Sequence, residues 1–426
     1  MEEEELKVKK HVKYFERVLQ VIPAQFSSLD VNRNTLSFFA INGLDLLNRL
    51  DDIKISRSEM VEWIYALQVL PTQRNGLSDM SACGFRGSTW TGASFTQPQK
   101  DCIYYDHGHV AMTYTALCSL LILGDDLSRV DRQALAYGLT SLQLPDGSFQ
   151  YCIEGSENDM RFLYCVACVC YILNDFSTID VDKAVNYVIS SLSYEGGFGQ
   201  GPFLEAHGGS TFCAVAALYL FNRLDSLKPV ELSLLKQWCL KRQESGFQGR
   251  PNKPIDTCYS FWIGATLRIL DSFQFVDTSA NRKWLLSVQD NVVGGFGKWT
   301  TTNPDPLHSY MGLASLSMME SQTLSLYSYL SILAAMQWNI FTNYSKAGRF
   351  YIIFIVLYSL LGILGSCNVV SSIYLSFCKS FCFSHITPAI TFIHKLYIIY
   401  CIMNMDLSTF TIFFLRNYNN SRKLLC

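Results

Sequence analysis

A glycine–phenylalanine turn recurs at a fixed interval and constrains the fold more than any other feature of this chain. The phenylalanines of these turns are 49 residues apart: Phe149, Phe198, Phe247 and Phe296. A period of this size is typical of stacked units, each with room for two helices of roughly a dozen residues. The repeat therefore predicts an all-helical fold in which equivalent positions of neighbouring units lie side by side.

The second helix of each unit is apolar on more than one face. Examples are HVAMTYTALCSLLIL from His109, STFCAVAALYLF from Ser210 and TCYSFWIGATLRIL from Thr257. Helices of this kind are buried on both sides. An inner ring of such helices inside an outer ring of more amphipathic ones predicts an α/α barrel of helical hairpins. An open solenoid is the alternative that periodicity alone leaves.

The charge pattern changes sharply near residue 320. Residues 1–320 hold 27 Lys and Arg against 35 Asp and Glu, whereas residues 321–426 hold seven against one. We expect residues 1–320 to form the barrel, with its last repeat truncated, and residues 321–426 to be a gene-model artefact or another non-native C-terminus. A membrane anchor is the alternative, because residues 350–378 carry no charge over 29 positions.

The start of the chain and its cysteines favour a cytoplasmic protein. The sequence MEEEELKVKK is acidic and lacks the apolar run of a secretory signal. Ten cysteines precede residue 321 and are scattered through apolar stretches, as expected of reduced thiols. Because the first 320 residues carry more acidic than basic groups, we expect no nucleic-acid partner.

Asp256, Cys258 and His308 are candidate ligands of one metal ion. Cys258 follows its repeat phenylalanine by 11 residues and His308 follows its own by 12, so the two positions nearly coincide in adjacent units. Asp256, just after Pro254, fits the N-cap of the helix that carries Cys258. Carboxylate, thiolate and imidazole suit zinc, and three protein ligands leave a fourth position open, as in catalytic sites. A capping Asp beside a buried Cys is the structural alternative.

Basic and phenolic side chains accompany these candidate ligands. His207 falls nine residues after its phenylalanine, and Arg250, Lys253 and Tyr259 flank the candidate metal ligands. Helix N-termini, cations and a phenol suit a phosphate or diphosphate, and an apolar inner surface suits a lipid chain. The pattern predicts a site for a diphosphate with a long apolar tail. Scattered surface charge is the alternative.

Six stretches between about residue 11 and residue 320 carry a family resemblance: DHGHVAMTYTALCSLLILGDDLSRV, GSENDMRFLYC, HGGSTFC, GRPNKPIDTCYSFW, GGFGKW and PLHSYMGLASLS. They resemble the β subunits of protein prenyltransferases, most closely the type I geranylgeranyl branch. The resemblance implies an enzyme that moves geranylgeranyl from geranylgeranyl diphosphate to the cysteine of a C-terminal CaaX motif, with X as Leu or Phe. Farnesyltransferase and Rab geranylgeranyltransferase β subunits are alternatives. A further alternative is an inactive or truncated isoform that only binds an α subunit.

The resemblance also implies a cofactor and partners. The zinc ligands of the family match Asp256, Cys258 and His308, and its diphosphate ligands match His207, Arg250, Lys253 and Tyr259. Magnesium is not expected to be required, since Lys298 stands where the farnesyl enzyme has a magnesium-binding Asp. Activity requires an α subunit, and the acceptors are CaaX proteins such as Rho-type small GTPases. Membrane contact is expected only if the tail is native.

Further site positions follow from the resemblance alone. Thr35 matches a small residue that leaves room for a fourth isoprene unit. Met311 replaces an aromatic residue beside the end of the lipid, and Arg161 matches a residue that positions donor and peptide. The last residue of the acceptor is expected to rest against four side chains: His109, Ala111, Phe162 and Trp262.

Overall fold

The computed structural model describes residues 5–74, 77–89, 106–153 and 155–319, which all lie in one compact unit. Twelve α-helices occur in this part of the chain: α1 Val8–Gln20, α2 Arg33–Leu46, α3 Arg57–Tyr65, α4 Val110–Leu123, α5 Arg132–Thr140, α6 Met160–Leu173, α7 Val181–Ser190, α8 Gly208–Leu220, α9 Pro229–Leu240, α10 Thr257–Ile269, α11 Thr278–Ser287 and α12 Pro306–Met319. Residues 321–426, including the candidate membrane anchor, lie outside the described residues.

The even-numbered helices form a closed inner ring. Each packs against the next one along the chain, and α12 packs against α2. Each odd-numbered helix packs outside the even-numbered helix that follows it. This is the predicted α/α barrel, and the apolar second helices of the repeat form its inner layer. Helix α12, which ends at Met319, closes the inner ring by packing against α2. The predicted boundary at residue 320 and the status of the tail stay predictions.

The repeat phenylalanines anchor the turns between outer and inner helices. All four are fully buried, and each pairs through its backbone with a residue that follows shortly after the preceding outer helix: Gln143, Leu192, Gln243 and Gln289. Gly147 in the first of these turns has φ +90°, where a side chain is strained. A Cβ there would also lie 2.1 Å from the Lys183 carbonyl oxygen. The glycine–phenylalanine turn is therefore set by packing between adjacent units.

Glutamine side chains tie successive outer helices together. Three accept the backbone N–H of the residue that caps the next outer helix: Gln68 from Asp131, Gln143 from Asp180 and Gln243 from Asp277. Gln289 accepts the N–H of Lys7 at 3.1 Å in the same way, and Lys7 precedes α1. The N-terminal helix thus takes the place of the next outer helix and closes the outer ring.

His11 secures this closure from within α1. It is fully buried and stacks on Phe296 with ring centroids 4.8 Å apart. Its Nδ1 accepts the N–H of Gly295 at 2.9 Å. The first helix therefore contacts the last glycine–phenylalanine turn directly.

Two small antiparallel sheets between α3 and α4 were not predicted. β1 Gln68–Val69 pairs with β4 Gly84–Phe85, and β2 Thr72–Arg74 pairs with β3 Leu77–Asp79. Strands of two or three residues are too short for an alternating pattern to be detected. In the described ranges, no helix combines the length and apolar character that crossing a bilayer requires.

Candidate metal centre and anion cleft

Polar side chains cap five of the six inner helices in the described residues, and three of these caps are predicted site residues. Four of them accept the backbone N–H two residues further on: His109 of α4, Asp159 of α6, His207 of α8 and Asp256 of α10. Asp305 caps α12 by accepting the His308 N–H at 3.0 Å. Because a cap fixes its side chain at a helix start, the repeat brings chemically different groups to equivalent positions.

The three candidate metal ligands lie together where α10 and α12 begin. Asp256, Cys258 and His308 each offer one ligand atom, and these atoms lie within 4.8 Å of one another. His308 Nε2 is 3.1 Å from Asp256 Oδ1. Asp256 and Cys258 are buried, and His308 is largely so. A carboxylate, a thiol and an imidazole at this separation fit the donor set of a zinc ion with one open position.

The pKa values of the three candidate ligands are shifted by burial and by their contacts with neighbouring charged side chains. Burial lowers the pKa of His308, but its hydrogen bonds to Asp256 and Asp305 outweigh burial and raise it to about 9. Burial and the neighbouring Asp256 charge raise the pKa of the Cys258 thiol well above its ordinary value. For Asp256, burial opposes ionisation, yet the His308 contact leaves its pKa below the usual range. A metal cation bound at this site would therefore displace the protons of Cys258 and His308.

Asp305 was not predicted to be a site residue, although its position in the repeat matches that of Asp256. Its Oδ2 lies 2.6 Å from His308 Nδ1, so it holds the ring with Nε2 directed towards Asp256. Asp305 follows Phe296 by nine residues, as Asp256 follows Phe247. Carboxylates in this position orient histidine ligands and strengthen their binding to metal.

A cationic cleft adjoins the metal cluster. Its lining includes every predicted diphosphate ligand: His207, Arg250, Lys253, Tyr259 and Lys298. Arg250 forms an ion pair with Glu205, and Lys298 Nζ lies 3.4 Å from Asp256 Oδ2. Tyr259 Oη is 2.8 Å from His207 Nε2. The cleft therefore offers cations and a phenol to an anion beside the candidate metal ligands.

An apolar cavity of about 400 Å³ runs from this region into the barrel. Six of the predicted donor or acceptor residues line it: Thr35, Ala111, Arg161, His207, Trp262 and Met311. Aromatic residues that sequence analysis had not named line the same space: Phe38, Phe39, Tyr114, Tyr164, Phe212, Phe261 and Tyr310. Gln200 and His207 line both spaces, so the cavity and the cleft are adjacent at these residues.

The remaining predicted acceptor residues form a separate aromatic group beside the cavity. His109 stacks on Tyr151 with centroids 4.5 Å apart, and Phe162 packs edge-on against His109 at 6.1 Å. Arg161 is held by ion pairs to Asp159 and Glu157. His109 and Phe162 are not among the residues that line the cavity, whereas Arg161 is.

Comparison with known proteins agrees with this architecture. The model of the prenyltransferase alpha-alpha toroid domain matches residues 6–351, past the predicted boundary at residue 320. The chain therefore belongs to the prenyltransferase alpha-alpha toroid family. This membership confirms the predicted fold.

Two relatives and one solved structure indicate which branch of the family this chain resembles. The chain is 39% identical over 326 residues to geranylgeranyl transferase type-1 subunit beta of Arabidopsis thaliana, covering 74% of this chain and 86% of the relative. It is 39% identical over 319 residues to the subunit of that name from Dictyostelium discoideum, covering 72% and 89%. It is also similar to the solved structure of Candida albicans protein geranylgeranyltransferase-I complexed with GGPP, with TM-score 0.66, 26% identity and coverage of 78% and 99%.

These likenesses confirm the prediction of a protein prenyltransferase subunit of the type I geranylgeranyl class and favour it over the farnesyl and Rab alternatives. They also confirm the prediction that the chain is a subunit of a prenyltransferase enzyme. The roles of individual site residues stay predictions.

Proposed function

We propose that this chain is the catalytic β subunit of a zinc-dependent protein geranylgeranyltransferase type I. It transfers geranylgeranyl from geranylgeranyl diphosphate to the cysteine of a C-terminal CaaX motif. The observation that carries the proposal is the adjacency of three features: the Asp256–Cys258–His308 cluster, the cationic cleft and the apolar cavity. A thiol acceptor, a diphosphate and a long apolar chain need these three environments side by side.

The chain's own residues have distinct tasks in this reaction. Asp256, Cys258 and His308 are the ligands proposed for zinc, which would favour the thiolate form of the acceptor cysteine. Attack of the acceptor sulfur on the first isoprenoid carbon forms the thioether, breaks the carbon–oxygen bond and leaves diphosphate. Arg250 and Lys298 face the space where that charge develops, so they stabilise the leaving group.

The donor chain is held by the aromatic-lined cavity. Burying a C20 chain against this wall excludes water from the reacting carbon and supplies binding energy through apolar area. Thr35, a small residue at the wall, leaves room that a large aromatic side chain would fill. Lys298 supplies a fixed positive charge beside the diphosphate, and we propose on this ground that magnesium is not required.

The partners and location belong to the same proposal. An α subunit completes the enzyme, and CaaX proteins such as Rho-type small GTPases are its acceptors. A cytoplasmic location fits the nine cysteines that the structure describes, all of which are free thiols.

The test is to co-express the full chain with an α subunit. Zinc content and transfer of geranylgeranyl or farnesyl to peptides ending in Leu or Ser are then measured. We expect one zinc per heterodimer and preference for geranylgeranyl and a terminal Leu, without added magnesium. Preference for farnesyl or a magnesium requirement would overturn the type I assignment, and a stable heterodimer that transfers neither chain would favour a non-catalytic subunit.

A further inference from the structure

Basic residues are concentrated near the start of a chain whose first 320 residues are otherwise acidic. Residues 7–33 contain six Lys and Arg against two acidic residues, whereas residues 1–320 contain 27 against 35. All four cations within α1 are exposed: Lys9, Lys10, Lys13 and Arg17. A group of exposed like charges on one helix attracts a partner of the opposite charge.

The two acidic residues of this stretch are engaged away from the cations of α1. Glu16 accepts the backbone N–H of Lys54 at 3.3 Å. Asp30 accepts a hydrogen bond from Arg33 Nε at 2.8 Å. Neither carboxylate therefore neutralises the exposed face of α1.

The contacts of the α1 cations also leave their charge available. Within the described ranges, Lys9 and Lys13 make no hydrogen bond or ion pair. Lys10 and Arg17 donate to backbone carbonyl oxygens of residues 291–293, which are uncharged. These two contacts hold the helix against the last glycine–phenylalanine turn without cancelling its charge.

Large apolar side chains are exposed beside these cations. A 3₁₀ segment, Ala24–Asn32, follows α1 and leads into α2. Five apolar side chains of this region are between 38% and 80% exposed: Val21, Phe26, Leu29, Val31 and Val292. Val292 belongs to the loop that Lys10 contacts. Exposed apolar side chains grouped in this way mark a site of interaction. We call these five residues and the four cations of α1 the N-terminal patch.

The N-terminal patch lies at the end of the barrel that holds the metal cluster. The 3₁₀ segment runs directly into α2, and Thr35 in the first turn of α2 lies 3.0 Å from Met112 in the first turn of α4. The starts of the inner helices are therefore together at one end of the ring. The candidate metal ligands lie at the starts of α10 and α12, at the same end.

We propose that the N-terminal patch docks on the surface of an anionic lipid bilayer. Its cations attract anionic headgroups, and its apolar side chains enter the boundary between headgroups and acyl chains. An acidic peptide would bind the cations but would leave Val21, Phe26 and Val292 without an apolar partner. The proposal differs from the expectation that membrane contact requires the C-terminal tail. It goes beyond the proposed transferase reaction and does not depend on it.

Vesicle binding by the heterodimer of the full chain tests the role of the cations. The vesicles consist of phosphatidylcholine, with or without phosphatidylserine. We expect wild type to bind more tightly when phosphatidylserine is present, and more weakly as salt is added. The Lys9→Gln/Lys13→Gln variant should bind the anionic vesicles about 10–30-fold more weakly, because each cation near the surface contributes separately.

Lys236→Gln/Lys241→Gln is the matched control for charge. It removes the same two charges at another outer helix, α9, and should bind the anionic vesicles as wild type does. Equal losses in the two double variants would show that net charge, and not the N-terminal patch, determines binding. Equal binding of wild type to both kinds of vesicle would also overturn the proposal.

Substitution of an apolar residue separates a bilayer from an acidic protein partner. Phe26→Ser should weaken binding to the anionic vesicles by about tenfold, because less apolar area enters the bilayer. Phe275→Ser is the control, since Phe275 is 68% exposed but lies after the end of α10, away from the helix starts. Unchanged binding of Phe26→Ser would show that charge alone acts and would overturn docking on a bilayer. None of these measurements needs turnover, so they stand even if the transferase function fails.

Discussion

Asp305 Oδ2 lies 2.6 Å from Nδ1 of His308, and the opposite nitrogen of the same ring lies 3.1 Å from Asp256 Oδ1. Two carboxylates thus hold one imidazole from both sides, and only Asp256 belongs to the candidate metal cluster. Asp305 also caps α12 through its other oxygen. One residue therefore fixes both the start of the helix and the orientation of the ligand that the helix carries.

Asp305→Asn should weaken zinc binding while α12 stays capped. Asn still accepts the His308 N–H but lacks the negative charge that orients and polarises the ring, a loss of about 10–100-fold in metal affinity. Competition with a chromophoric chelator measures this on the heterodimer. Asp277→Asn is the matched control, because Asp277 caps α11 and contacts no candidate ligand. Equal zinc affinities of the two variants would contradict the role given to Asp305.

Zinc binding should release protons at neutral pH. The raised pKa values of His308, about 9, and of Cys258, well above the ordinary range, mean that both side chains are protonated without metal. Zinc ligands must be deprotonated, so about two protons leave at roughly pH 7.5, and zinc affinity falls as the pH falls. Calorimetry in buffers of different ionisation enthalpy counts these protons. Zinc binding to the Cys258→Ala variant should release about one proton. If zinc binding to the wild type releases no protons, Cys258 and His308 are not the protonated ligands proposed here.

The repeat register predicted the metal cluster because the relevant residues occupy helix starts. Asp256 was expected at an N-cap and is found there. His308 lies in the first turn of the next inner helix, where the register placed it. Asp305 follows the same register, but in the sequence a single Asp before a helix indicates only an N-cap. Its role in orienting His308 becomes evident only from the 2.6 Å contact between Asp305 Oδ2 and His308 Nδ1.

Ring closure could not be read from the sequence. Gln143 and Asp180 are 37 residues apart, and the pattern of either one alone does not name its partner. At the closing position Gln289 binds Lys7, which stands at the N-cap of α1 where three other outer helices have an Asp: α5, α7 and α11. Because α1 carries no glycine–phenylalanine turn, only its packing identifies it as the missing outer helix.

Gln289→Ala should loosen the N-terminal helix from the ring. The change removes the hydrogen bonds to Lys7, Glu5 and His11 at a buried position, which costs about 1–3 kcal/mol. Hydrogen exchange of the α1 amides should then be faster. Gln243→Ala removes the equivalent bonds to Asp277 and should leave exchange in α1 unchanged. Unchanged protection of α1 in the Gln289 variant would show that closure does not depend on this side chain.

The buried His11 should make stability depend on pH. Burial lowers the pKa of His11 to about 4, and its bond to Gln289 offsets this only in part. Below its ordinary value near 6.5 the unfolded chain takes up a proton that the folded chain does not. Stability therefore falls as the pH drops from about 6.5 to about 4, by up to about 3 kcal/mol.

Urea unfolding of the wild type and of His11→Gln between these pH values measures the contribution of His11. The variant cannot take up this proton, so its stability should fall less on acidification, whatever its absolute stability at neutral pH. Parallel pH profiles of the two proteins would exclude His11 as the cause.

Thr35→Trp should shift the donor preference from geranylgeranyl towards farnesyl. Thr35 lines the cavity with Met311, and its hydroxyl lies 3.0 Å from Met112 Sδ, so an indole has to extend into the space that the donor chain occupies. Close packing leaves no room for both the indole and a fourth isoprene unit. The ratio of kcat/KM for the two donors should change by about 10–200-fold. Thr35→Val keeps the volume and should keep the wild-type ratio, and a Trp variant that still prefers geranylgeranyl would place the end of the donor elsewhere in the cavity.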